Sequence, residues 1–150
     1  MAKVLIVEDD LIIADGTEEF LAGCGYEVCG SARTVDDAVE LGRRHRPDLV
    51  ILDLRLADGG FGTEVAARLT RLGRVGILYA TGNISQFELD TADGDASIVK
   101  PYSRADLLRS LEIVAEIVTT GRASPPFPSG FHMLPLALSA DPTLLASRNE

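Results

Sequence analysis

Four short runs of branched and aliphatic residues punctuate this chain, and each stops at polar chemistry. VLIV at 4–7 runs into Glu8, Asp9 and Asp10, and LVIL at 49–52 runs into Asp53. VGILY at 75–79 is followed by Ala80, Thr81 and Gly82, and Ile98-Val99 by Lys100 and Pro101. Near-continuous apolar runs of this length read as strands buried on both faces of a sheet. Glu27 to Ala32 reads as a weaker strand of the same kind.

The segments between these runs have helical character. Asp10 to Cys24 mixes apolar and acidic positions at helical spacing, with Gly23 and Gly25 as its stop. Thr34 followed by Asp37 resembles a capping box, and Val35, Ala38, Val39 and Leu41 give the helix after it an apolar side that ends by Pro47. After glycines 59, 60 and 62, GTEVAARLTRL places Val65, Ala66 and Leu69 on one side. Ser103 with Asp106 opens a strong helix carrying Leu107, Leu108, Leu111, Val114, Ala115 and Val118. Strand and helix therefore alternate over the first 120 residues, which predicts an α/β fold with a parallel sheet covered on both faces. Right-handed crossovers bring the C-terminal ends of all these strands to one edge, where such folds bind ligands.

At that edge the sequence collects Glu8, Asp9 and Asp10, then Asp53, then Thr81, then Lys100. Each feature alone is ordinary: an Asp after a strand is commonly a turn or cap residue, and Asp10 reads as the cap of the first helix. Together they are chemically demanding. Carboxylates about 5 Å apart at an effective dielectric of about 20 repel by roughly 3 kcal/mol per pair. A proton, a lysine or a metal ion must offset this. An all-oxygen donor set suits a hard cation such as Mg2+. A carboxylate can be the nucleophile that accepts a phosphoryl group, and Thr81 and Lys100 can hold its oxygens. The constellation fits aspartyl phosphate chemistry at Asp53.

Bulk properties narrow the function classes. The net charge of −9 argues against direct nucleic-acid binding. No apolar run is long enough to span a bilayer, and the apolar stretch after Lys3 is too short for a signal peptide, so the expected location is cytoplasmic. Cys24 and Cys29 lack redox or zinc spacing and read as reduced structural thiols.

Over roughly Lys3 to Thr119 the chain resembles the receiver domain of bacterial two-component response regulators. VLIVEDD resembles the family's acidic pair, DLVILDLRLADG its phosphoacceptor strand and loop, YATG its Thr/Ser site, and VKPYS its Lys-Pro ending. The resemblance implies a CheY-like, flavodoxin-like sheet of five strands, order 2-1-3-4-5. It implies Asp53 as phosphoacceptor and Mg2+ held by Glu8, Asp9, Asp53 and the backbone carbonyl of Arg55. Thr81 and Lys100 become the phosphoryl ligands, and the Lys100–Pro101 bond is expected to be cis. The partners implied are a histidine kinase or histidine phosphotransfer protein as donor and a downstream protein as output. A homodimer stays open, and neither nucleic acid nor membrane is expected as a partner.

Two departures stand out. Family members usually carry Tyr or Phe at the position of Ser97, and Pro at the position of Ala57. The span from Thr81 to Lys100 is short, and a helix from Ser85 to about Leu89 would be little more than a turn, so the fourth helix is expected to be short, mobile or missing. These oddities resemble a subgroup marked by Phe-Ala-Thr-Gly, called FATGUY; here Tyr79-Ala80-Thr81-Gly82 stands there. That subgroup implies a stand-alone regulator acting through a protein contact. A receiver region over 1–120 and a tail over 121–150 follow, the tail with five of the seven prolines and either disordered or docked through Phe127, Phe131, Met133, Leu134, Leu136 and Leu138. The alternative function is an interaction module that keeps the fold without phosphorylation. A dedicated phosphatase fits less well, because Leu54-Arg55 follows Asp53 where an Asp-x-Asp pattern would be needed. The only enzymatic activity expected is self-phosphorylation from a donor and hydrolysis of the aspartyl phosphate.

Overall fold

A strand buried on both faces can alternate its side chains between two separate cores, and three strands of this chain do so. Leu5, Val7, Val50, Leu52, Ile77 and Tyr79 point to one core, while Val4, Ile6, Leu49, Ile51, Leu78 and Ala80 point to the other. The computed structural model describes residues 2–82 and 88–137. Its elements in chain order are β1 (Lys3–Val7), α1 (Leu11–Gly23), β2 (Glu27–Ala32), α2 (Val35–His45), β3 (Leu49–Asp53), α3 (Gly62–Thr70), β4 (Gly76–Thr81), β5 (Ala96–Val99), α4 (Arg104–Thr120) and β6 (Phe131–Met133).

The first core lies under α2 and α3, which contribute Val35, Ala38, Val65, Ala66 and Leu69. The second lies under α1 and α4, which contribute Ala14, Leu21, Leu107, Leu111 and Val114. Helix starts follow the expected chemistry. Asp10 accepts from the backbone N–H groups of Ile12 and Ile13 at 3.0 and 3.3 Å, which makes it a cap. Thr34 accepts from Asp37 N at 3.2 Å and Ser103 from Asp106 N at 3.0 Å. The apolar residues at the start of α1 do not all go inward: Ile12 is 84% exposed. Cys24 and Cys29 are both free thiols.

The sheet order is β2-β1-β3-β4-β5-β6, and the first five strands pair in parallel in the 2-1-3-4-5 order. The sheet is larger than expected by one strand. β6, from the proline-rich segment, pairs antiparallel with β5. Apolar residues, not the prolines, decide this: Phe131 and Leu134 are buried, and each joins one of the two cores. The remainder of the tail, 138–150, lies outside the described residues.

The helix expected over Ser85 to Leu89 falls mainly on 83–87, which also lie outside the described residues. Among the described residues no helix joins β4 to β5. Residues 88–95 form turns, with Asp90 accepting from Ala92 N at 2.9 Å and Asp93 from Asp90 N at 3.0 Å. Leu89 packs against the α2/α3-side core. No helix among the described residues is long and apolar enough to cross a membrane.

Candidate functional site

Parallel pairing delivers four strand ends to one edge. Asp53 ends β3, Thr81 ends β4, Glu8 follows β1 and Lys100 follows β5. Backbone bonds fix the flanking residues: Glu8 N donates to Ala32 O at 2.9 Å and Lys100 N to Thr81 O at 2.8 Å. Glu8, Asp53 and Thr81 are 7%, 8% and 2% exposed, whereas Asp9 sits at the solvent rim. Carboxylate oxygens of Glu8, Asp9 and Asp53 all lie within 4.8 Å of one another. Lys100 Nζ donates to Asp53 Oδ1 at 2.7 Å and to Glu8 Oε2 at 3.4 Å.

One ammonium cannot balance three carboxylates, and the electrostatics record the deficit. Burial pushes the Glu8 carboxyl up to about 8, reinforced by its hydrogen bond with Asp53 and by the charges of Asp53 and Asp9, against the pull of Lys100. Burial alone would lower Lys100, but its hydrogen bond to Asp53 and the charges of Asp53 and Glu8 leave it above the usual lysine value. That shift favours the protonated Glu8 carboxyl at neutral pH. A small cavity of about 10 Å³ lies beside the cluster, lined by Glu8, Asp53 and Tyr102 together with apolar residues such as Ile6, Ile13 and Ala80. The donor set is all oxygen and anionic, which fits Mg2+.

The loop after Asp53 is held by a glycine that sequence patterning does not single out from its neighbours. A Cβ at Gly62 would stand 2.1 Å from Asp53 O, and Gly62 N donates to Leu54 O at 2.8 Å. Only a residue without a side chain lets α3 begin this close to the Asp53 carbonyl. The absence of Pro at 57 has a local reason as well. Ala57 N donates to Arg33 O at 3.0 Å, and proline has no such donor. Arg55 follows in an isolated bridge opposite Phe61, two residues past Asp53. The Lys100–Pro101 bond is cis.

Distance brings Glu8, Asp9, Asp53 and Lys100 together directly, while Thr81 and Arg55 share the edge by position on their elements. Ser97 is buried, its Oγ has no hydrogen-bond partner among the described residues, and it stands in register with Tyr79. The ring missing at 97 thus has a fully buried neighbour on the adjacent strand. Tyr79 donates its phenol to Asp93 O at 2.8 Å, anchoring the segment that leads into β5. Burial, with the charges of Asp93 and Asp95, holds that phenol protonated far above its usual range. The sequence places Tyr79 at the end of the third apolar run and at the start of the Tyr79-Ala80-Thr81-Gly82 motif, but gives no sign of this hydrogen bond.

A 2-1-3-4-5 parallel sheet with buried acids and a lysine at its C-terminal edge is the architecture of a receiver domain. A CheY-like response regulator receiver domain from Methanospirillum hungatei JF-1 superposes with a TM-score of 0.72 at 29% identity, covering 81% of this chain and 99% of that one. The chain belongs to the response regulator receiver domain family, whose profile matches residues 4–112. It is 36% identical over 118 residues to the transcriptional regulatory protein PdtaR of Mycobacterium tuberculosis, covering 74% of this chain and 55% of that protein. It is 31% identical over 107 residues to the phyllosphere-induced regulator PhyR of Methylorubrum extorquens, covering 70% of this chain and 40% of that protein. The chain therefore spans about half the length of these relatives. Phosphorylation and Mg2+ binding at an acidic pocket are features of the family, and the cluster of Glu8, Asp9 and Asp53 provides such a pocket.

Proposed function

We propose that Asp53 accepts a phosphoryl group from a histidine kinase or histidine phosphotransfer protein, and that a protein partner reads the result. The observation that carries this is the Lys100 ammonium, 2.7 Å from Asp53 Oδ1 within a cluster of three carboxylates. An Asp53 carboxylate oxygen attacks phosphorus, the nitrogen–phosphorus bond of the phosphohistidine breaks, and the histidine leaves with its electron pair. Glu8, Asp9, Asp53 and the Arg55 carbonyl would hold Mg2+, which when bound would neutralise charge on the acids and on the transferring group. Lys100 and Thr81 hold phosphoryl oxygens at the ends of β5 and β4. The product carries about two negative charges where one stood. The donor approaches past α1, where a groove of about 620 Å³ lined by Ile12, Ile13, Phe20 and Tyr102 opens beside Lys100.

Beryllofluoride with Mg2+ tests this as a stable mimic of the phosphoryl group. Fluorine NMR of the whole chain should show a bound species that Asp53→Asn lacks; its absence from the folded wild type would sink the proposal. A second reading, an interaction module that does not switch, is favoured by Ser97, because no ring at that position can turn inward. Equal partner affinity for wild type and Asp53→Asn would select it.

A further inference from the structure

The N–H and C=O groups along an edge strand are a template for another chain. In this molecule the outer edge of β5 is filled by the chain's own tail. Ala96, Ser97 and Ile98 register with Met133, His132 and Phe131. Val99 N donates to Gly130 O at 3.0 Å and Leu134 N to Asp95 O at 3.2 Å, bracketing the ladder. Antiparallel alternation makes His132 and Ser97 the bonded pair between these two. Phe131 and Leu134, three residues apart, are the buried anchors, while His132 and Met133 face solvent. Phe127 stacks on Phe131 with ring centroids 6.0 Å apart. Arg109 of α4 grips the approach to the strand, donating to Ser124 O at 2.6 Å and Pro126 O at 3.0 Å. On the far side Thr91 N donates to Pro135 O at 3.0 Å. Main-chain bonds along an edge with side-chain anchors on alternate faces are how a peptide binds by strand addition.

The edge also adjoins the acceptor site. Val99, which holds Gly130, is in register with Thr81 and precedes Lys100, whose N–H bonds Thr81 O. Any movement of Thr81 or Lys100 toward a phosphoryl group acts on the residue that fastens the tail.

We propose that the outer edge of β5 is a strand-docking site for an extended peptide carrying an aromatic residue and a leucine three positions apart. Residues 128–137 of the chain occupy it at rest and leave it when Asp53 is phosphorylated. The release, but not the site, rests on the reading of Asp53 as acceptor. The two are separable with a labelled synthetic peptide of residues 124–137 added in trans to the full chain. A tethered tail competes at an effective concentration of about millimolar, so the resting wild type should bind the peptide weakly. Phe131→Asp/Leu134→Asp empties the edge. His132→Pro does so without touching a buried side chain, by removing a ladder donor. Each should bind at least about tenfold tighter than wild type, since the competent fraction rises. Peptide affinity no better than wild type in both folded variants would overturn the docking site. Wild type with beryllofluoride and Mg2+ should match the variants. If fluorine NMR shows bound beryllofluoride and peptide affinity stays at the resting value, release is overturned while the acceptor reading stands. If no beryllofluoride binds, the acceptor reading falls and release with it, and the variants alone decide the docking site.

Discussion

Glu8 carries the clearest consequence of crowding acids at one strand edge. Its folded value of about 8 lies above the ordinary 4.5, so the folded chain holds more protons than the unfolded chain between those values. Stability without metal should therefore fall as pH rises from about 5 to 8. Urea midpoints across that range should show the decline, Mg2+ should reverse it, and Glu8→Gln should flatten it. A metal-free stability that rises over the same window would contradict this electrostatic account. Two further residues have size-based expectations. Gly62→Ala forces a Cβ against the Asp53 carbonyl and should cost about 1–3 kcal/mol, with slower phosphoryl uptake. Ser97→Ala removes a buried hydroxyl that has no partner among the described residues and should raise stability by about 1 kcal/mol; urea denaturation measures both. At this scale the sequence named the charged members of the site, because charges after apolar runs are conspicuous. It did not distinguish Gly62 among the neighbouring glycines, since close approach is a property of folded backbones. Tyr79 was visible as a motif residue, but the role of its hydroxyl was not, for a related reason: an aromatic in an apolar strand reads as core whether or not its hydroxyl holds a loop.

Elements were legible where one rule governed them. The interiors of β1, β3 and β4 are apolar because both faces are covered, with polar residues only at their ends, and the caps at Asp10, Thr34 and Ser103 announce α1, α2 and α4. β6 was not legible. Three residues among prolines carry no periodicity, and their conformation is set by the open edge of β5. The exposed start of α1 has a different character: Ile12 is apolar yet remains in water. If the groove beside it receives the phosphodonor protein, Ile12→Asp should slow transfer from that donor about tenfold or more, an interface loss of about 1.4 kcal/mol. Transfer from a small phosphodonor should be unchanged. Equal slowing with both donors would move the role of Ile12 from docking to the structure of the site.

At the scale of the whole molecule, the parallel order 2-1-3-4-5 creates the site by bringing distant stretches of chain to one edge. Glu8 and Lys100 are 92 positions apart in sequence and 3.4 Å apart in space. That convergence could be foreseen because parallel crossovers leave little freedom in strand direction. The antiparallel sixth strand lies outside that rule. It puts the tail against the same end of β5 that carries Lys100, so the acid cluster and the sheet edge are mechanically adjacent. Asp53 as phosphoacceptor is the claim on which the rest of the functional account depends. Intact-protein and peptide mass spectrometry after incubation with a small phosphodonor and Mg2+ tests it most directly. Expected is one base-labile, hydroxylamine-sensitive phosphoryl group on the peptide containing Asp53, and none on the folded Asp53→Asn variant. No phosphoryl group on the folded wild type, or equal labelling of both proteins, would contradict it.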